Sequence, residues 1–139
     1  MKQKKLTADR TKRAKAIAKA GGFEAALESG SLPQYADVTL SEAVVLGLVR
    51  QSVTRFLAIF GHGSTEMGEV LRVYEGEGVL KTYAVRHETE AAHAASALRW
   101  VTGEKAAVVT SIGPGAMHAL SGSLVSLSDG LGVWFLLGD

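Results

Sequence analysis

The 139-residue chain contains no cysteine, which excludes a disulfide framework, a thiolate zinc site and a cysteine nucleophile together. No run approaches ~18 consecutive apolar residues, so no transmembrane helix is expected. The N-terminus lacks the apolar segment of a secretory signal, and cytoplasm is the expected compartment. Net charge is scarce too, at +1, but that balance conceals an asymmetry. Eight of the 15 Lys/Arg lie within residues 1–20 against Asp9 alone, and the other seven face thirteen acids. The body is mildly acidic, and the basic character belongs to the N-terminal stretch.

What is present is a globular composition, 47% hydrophobic and 21% charged, sufficient for one domain with a real core. Residues 2–27 alternate basic and alanine-rich positions. Ile17, Phe23 and Leu27 form a thin apolar stripe at helical spacing, broken by Gly21-Gly22. The pattern predicts a helical extension lying on the body, over residues 1–37. The alternatives are a nucleic-acid arm or an amphipathic targeting peptide. Phe23 is the sole aromatic there, so base stacking has little support. Gly30-Ser31-Leu32-Pro33 marks the boundary, and the main domain is expected over 38–139.

Thr39-Leu40-Ser41-Glu42 has the form of a capping box, with a hydroxyl at the cap and a carboxylate three residues on. The helix it opens should run to about Gln51. Arg55–Phe60 is a near-continuous apolar run ended by Gly61-His62-Gly63, as expected of a strand buried on both faces. Ser64 and Thr65 are suitable caps for a helix over 67–73. The alternation continues: a strand over 81–85, a helix over 88–102 stopped by Gly103, and a strand over 106–110. Gly113-Pro114-Gly115 then turns into a helix over 116–128, before a last strand over 133–137. Four strands with helical crossovers predict an α/β fold with an open parallel sheet. Ligands of such sheets bind beyond the carboxyl ends of the strands. Those ends are Gly61-His62-Gly63, His87-Glu88, Ser111–Gly115 and Gly138-Asp139.

Several familiar sites fail on their spacing. Gly61-His62-Gly63 opens like a dinucleotide fingerprint, but Glu66 stands where the third glycine belongs and no Walker lysine follows. His87-Glu88 lacks the second histidine of a zinc-protease helix, since Ala91 occupies its place, and no metal ligand set is expected in this chain. Ser64 and Ser111 lack the glycines of a nucleophile elbow. Gly113-Pro114-Gly115 is either a tight helix start or a bare backbone wall for a planar ligand. Glu88 is either a favourable charge at a helix N-terminus or a functional carboxylate.

Taken in order, Phe60–Gly63, Arg86-His87-Glu88, Ala91–Ala95, Thr102-Gly103, Thr110–Ala116 and Leu137-Gly138-Asp139 resemble the N-terminal pyrimidine-binding domain of thiamine-diphosphate enzymes. The acetohydroxyacid synthase group is the nearest broad match. The glycine-histidine-glycine turn is also similar to that of the trihydroxycyclohexanedione hydrolases of inositol breakdown. The resemblance implies that Glu88 hydrogen-bonds N1′ of the cofactor's aminopyrimidine and promotes loss of the thiazolium C2 proton. Burial is expected to raise its pKa toward neutrality. It implies further that Gly61, His62, Gly63, Pro114, Gly115 and His118 line the pyrimidine side of the pocket. His118 falls where many relatives carry asparagine, and His62 where synthases carry proline. Either histidine could be an acid–base group or plain wall.

The implied activity is making or breaking a carbon–carbon bond beside a carbonyl, commonly of a 2-keto acid. The alternatives are a ring-opening C–C hydrolase and a non-catalytic α/β binding module with a basic arm. The family anchors its diphosphate through Mg²⁺ in a second domain, so Mg²⁺ ligands are expected outside this chain. The expected partner is that diphosphate-binding domain, within a longer chain or a partner subunit, in a homodimer or homotetramer. Neither membrane nor nucleic acid is an expected partner.

Overall fold

The computed structural model describes the backbone of residues 2–138 and the side chains of residues 5–125, 127 and 129–138. Asp139, at the end of the expected last strand segment, lies outside the described residues. The elements run α1 (Lys2–Ala20), α2 (Phe23–Glu28), α3 (Leu40–Arg50), β1 (Val53–Ala58), α4 (Thr65–Gly76), β2 (Lys81–Ala84), α5 (Glu88–Thr102), β3 (Lys105–Thr110), α6 (Pro114–Ser128) and β4 (Trp134–Leu137). The strands form one parallel sheet in the order β2-β1-β3-β4. The fold is therefore the expected open parallel α/β sheet.

Period-two alternation along the central strands divides the core. Phe56 and Ala58 of β1, with Ala107 and Val109 of β3, join one cluster with Ala14, Ile17, Val45, Val70 and Tyr74. Leu57, Ala106 and Val108 face the other way and pack with Ala91, Ala95 and Ala119. Thus α1, α3 and α4 cover one face and α5 and α6 the other, which is why β1 and β3 carry apolar residues at consecutive positions. The edge strands β2 and β4 are more exposed. From β1 the chain steps outward to β2, then returns across β1 to β3. The winding direction therefore reverses between β1 and β3, the point at which sheets of this type form a crevice.

Local chemistry explains most boundaries. Thr39 caps α3 by accepting from the Glu42 N–H at 3.4 Å. The expected capping box is only half made, because the Glu42 carboxylate turns inward. It accepts from Arg10 Nε at 3.2 Å, Arg13 Nε at 2.8 Å and the Tyr74 hydroxyl at 2.9 Å. Arg10 also donates to Thr39 Oγ1 and to Glu66 Oε1, each at 2.8 Å. The basic α1 is thereby fastened to α3 and α4 through its arginines, and Ala14 and Ile17 share the core beneath them. Two of the cations that marked this helix as a possible arm are spent on internal contacts.

Strand β1 begins and ends two residues earlier than its apolar run suggests. Ser52, at φ 64, turns the chain directly from α3 into the strand. Beyond Ala58, the Ile59 N–H still reaches the Val109 carbonyl at 3.0 Å, but Phe60 leaves the sheet and its ring lies against Gly68 of α4. Ser64 does occupy the cap position of α4, yet its hydroxyl does not cap the helix. It bonds instead to the backbone of Gly61, which ties the Gly61–Gly63 turn closed. Gly103, at φ 76, ends α5 in the left-handed conformation as expected. Among the described residues no helix is long and apolar enough to cross a membrane.

Candidate functional site

At the carboxyl edge of the sheet three glycines, after β1, at the start of α6 and after β4, make approaches that a Cβ would crowd. A Cβ on Gly61 would stand 2.7 Å from Ser111 Cβ, and one on Gly115 would stand 2.6 Å from Ser111 Oγ. The same atom on Gly115 would lie 3.0 Å from Glu88 Oε1. At the end of β4, a Cβ on Gly138 would meet the His62 carbonyl at 3.0 Å and Ile112 N at 3.1 Å. The missing side chains keep a narrow backbone-lined floor at the reversal point of the sheet.

Glu88 enters this floor as the first residue of α5. Its side chain is 13% exposed, and Oε2 lies 3.2 Å from His118 Nδ1. His118 comes from the first turns of α6, thirty residues on. What places it there is the close crossing of α5 and α6. Gly122 sits against Ala92, where a Cβ would come within 2.6 Å of the alanine methyl. Thr89 Oγ1 then donates to the His118 carbonyl at 3.0 Å and lies 3.2 Å from Ser121 Oγ. Across from Glu88, His87 caps α5 by accepting from the Thr89 N–H at 3.2 Å. Its ring stacks on that of His118, with centroids 4.8 Å apart and planes at 29°.

These neighbours hold the Glu88 carboxyl below its ordinary value of 4.5. Its own backbone N–H at the open end of α5 contributes most, followed on the lowering side by the His118 hydrogen bond and the charges of His118 and His87. Burial acts upward, as expected from the sequence, but it is outweighed. The expectation of a carboxyl raised toward neutrality is therefore corrected: in this chain Glu88 is disposed to be ionised.

The family described as "Thiamine pyrophosphate enzyme, N-terminal TPP binding domain" matches residues 38–139, which include every element from α3 to β4. The chain belongs to this family. It is also 34% identical over 102 residues to the acetolactate synthase isozyme 3 large subunit of Escherichia coli (strain K12), covering 71% of this chain. The same stretch is 17% of the length of that relative. Helices α1 and α2 precede the part that the family match covers.

Within this thiamine pyrophosphate-enzyme domain, the expected site residues fall into two groups. Glu88, Gly115 and His118 are in mutual proximity, and Gly61 reaches them through Ser111. Gly63 and Pro114 stand exposed on their turns, Pro114 at the first position of α6. The His62 side chain is exposed and makes no hydrogen bond among the described residues, although its carbonyl accepts from Ile112 N at 3.2 Å. His87, Thr89, Ser111 and Ser121 belong to the site without having been singled out for it. His87 and Ser111 stand at the strand ends where ligands of such sheets bind, and that placement was the signal available for them. The part played by Thr89 and Ser121 depends on two helices meeting, which no local spacing encodes.

Proposed function

We propose that this domain supplies the pyrimidine half of a thiamine-diphosphate enzyme that makes or breaks a carbon–carbon bond beside a carbonyl, with Glu88 as the residue that activates the cofactor. The observation that carries the reading is the placement of an inward carboxylate against a glycine floor. Gly115 packs close to Oε1, where a Cβ would stand 3.0 Å away, so no side chain of α6 crowds the carboxylate at that point. His118 is the one side chain hydrogen-bonded to Glu88 among the described residues, and it takes the other oxygen.

The residues present therefore fit the aminopyrimidine. Glu88 would meet its N1′ and share a proton there, Gly61 and Gly115 would lie along its face, and His118 would stay at the outer edge of the carboxylate. When bound, the cofactor supplies a C2 carbon nucleophile and the electron sink for the bond change. The chain's own contribution is orientation, a carboxylate at Glu88 that can accept and share a proton, and a backbone floor that keeps bulky side chains away. Mg²⁺ and the diphosphate would be held by a separate diphosphate-binding domain, in the same longer protein or a partner subunit, within a homodimer or homotetramer. The substrate class is a 2-keto acid or related carbonyl compound, and the compartment is the cytoplasm.

The test uses the complete enzyme that contains this domain. Exchange of the cofactor's C2 hydrogen for deuterium is followed by NMR in wild type and Glu88→Gln. Glutamine should slow exchange and turnover by about 10²–10⁴-fold, the usual worth of a positioned acid–base group. Unchanged exchange in a folded Glu88→Gln enzyme would overturn the assignment.

A further inference from the structure

We infer that His87, Glu88 and His118 form a seat for a divalent transition-metal ion such as Zn²⁺, Co²⁺ or Ni²⁺. Each residue offers one ligand atom, and the three atoms lie within 4.8 Å of one another. Two imidazoles and one carboxylate are a donor set suited to these ions, and they leave open positions for water. The set does not suit Mg²⁺, which prefers oxygen ligands throughout. This seat is thus separate in kind from the magnesium expected to hold a diphosphate.

Donor atoms around a tetrahedral ion with bonds of ~2.0–2.2 Å stand roughly 3.3 Å apart. Glu88 Oε2 and His118 Nδ1, at 3.2 Å, already have that spacing. The remaining gap is closed by turning the exposed imidazole of His87. That motion gives up the hydrogen bond from the Thr89 N–H, a donor in the first turn of α5 that water can then satisfy. At the His118 end the backbone is held by the bonds of Thr89 to the His118 carbonyl and to Ser121, and the imidazole has only to turn so that the Nδ1 lone pair leaves the carboxylate and faces the ion. The positive end of the α5 dipole opposes a cation, but the carboxylate stands nearer to the seat than the bulk of the helix and offsets it.

The three ligands come from the cap and first residue of α5 and from α6. Neither His87-Glu88 nor the first turn of α6 reads as a metal motif alone. Where Glu88 also serves the aminopyrimidine, as proposed above, an ion in this seat excludes that ring. Transition metals then act as competitive inhibitors of cofactor loading.

The test is titration of the full chain, free of cofactor, with Co²⁺ followed by its visible absorption and with Zn²⁺ followed by calorimetry. The expected result is one ion per chain with micromolar affinity, a raised melting temperature in Zn²⁺, and no comparable response to Mg²⁺. His87→Ala, His118→Ala and Glu88→Gln should each weaken binding by an order of magnitude or more, while His93→Ala should not. Circular dichroism melts establish that each variant is folded, and an asparagine at the same position replaces any alanine variant that is not. Absence of saturable one-to-one binding to the wild type overturns the proposal. So does binding that persists in folded His118 variants, or that disappears equally in His93→Ala. Failure of the thiamine reading would leave metal binding by the cofactor-free chain intact.

Discussion

Arg10 and Glu42 lie 32 residues apart, yet the guanidinium and carboxylate meet at 3.2 Å with the two residues only 4% and 0% exposed. Arg13 and Tyr74 complete the shell around the same carboxylate. Glu42→Gln should therefore destabilise the domain by about 3–5 kcal/mol, because it leaves buried cationic groups against a neutral amide. Tyr74→Phe should cost less, about 1.5–3 kcal/mol, for one hydrogen bond to a charged acceptor. Urea unfolding of both variants checks the order as well as the size of the losses.

The same junction contributes to acid sensitivity. The Glu66 carboxyl is held below its ordinary 4.5, first by hydrogen bonding with Thr39 and then by Arg10. Lys81 holds the Glu75 carboxyl down in the same way. A depressed folded-state pKa stabilises the fold above the unfolded-state pKa, and that contribution is lost as pH falls through the folded value. The urea midpoint should thus fall below about pH 4.5, and Glu66→Gln should flatten the fall. An equally steep profile in that variant would remove Glu66 from the explanation.

Gly115→Ala tests the glycine floor without touching a charged group. The added methyl meets Ser111 Oγ, which can rotate aside, and then crowds Glu88 Oε1. A stability loss of about 1–2 kcal/mol is expected from such overpacking. In the complete enzyme the larger effect should be on cofactor binding. The rise in melting temperature on adding thiamine diphosphate with Mg²⁺ should shrink or vanish.

A stripe of Met117, Leu120, Leu124 and Leu127 runs along α6 at helical spacing and is exposed along its whole length. The isolated chain should bind a hydrophobic dye more strongly than soluble monomers of its size. Leu124→Lys together with Leu127→Lys should reduce dye fluorescence while leaving the circular dichroism spectrum unchanged.

The fold was legible in the sequence because its signals are local. Apolar runs at β1 and β3, the Gly103 stop and the Pro114 helix start each act within a few residues. The site was legible in part. Glu88 and the glycine turns stand at strand ends, where ligands of such sheets gather, and that placement follows from the alternation of strands and helices alone. Tertiary contacts decided the remainder. Glu42 has the sequence position of a capping-box residue but is drawn away by arginines from α1, a far stronger pairing than one exposed backbone N–H. The Glu88 carboxyl is held down rather than raised, first because its own backbone N–H at the start of α5 hydrogen-bonds it, and then because His118, which no spacing rule brings to it, adds a second hydrogen bond.

The contact of Gly122 with Ala92 gives the site a mechanical ruler. The gap between α5 and α6 is set by two small residues away from the chemistry, and His118 rides on one helix while Glu88 rides on the other. A single added methyl at that crossing would lengthen the ruler and part the imidazole from the carboxylate, with every polar residue of the site unchanged. Selection on proton sharing or metal capture here could therefore act through a packing position that bears no functional group at all.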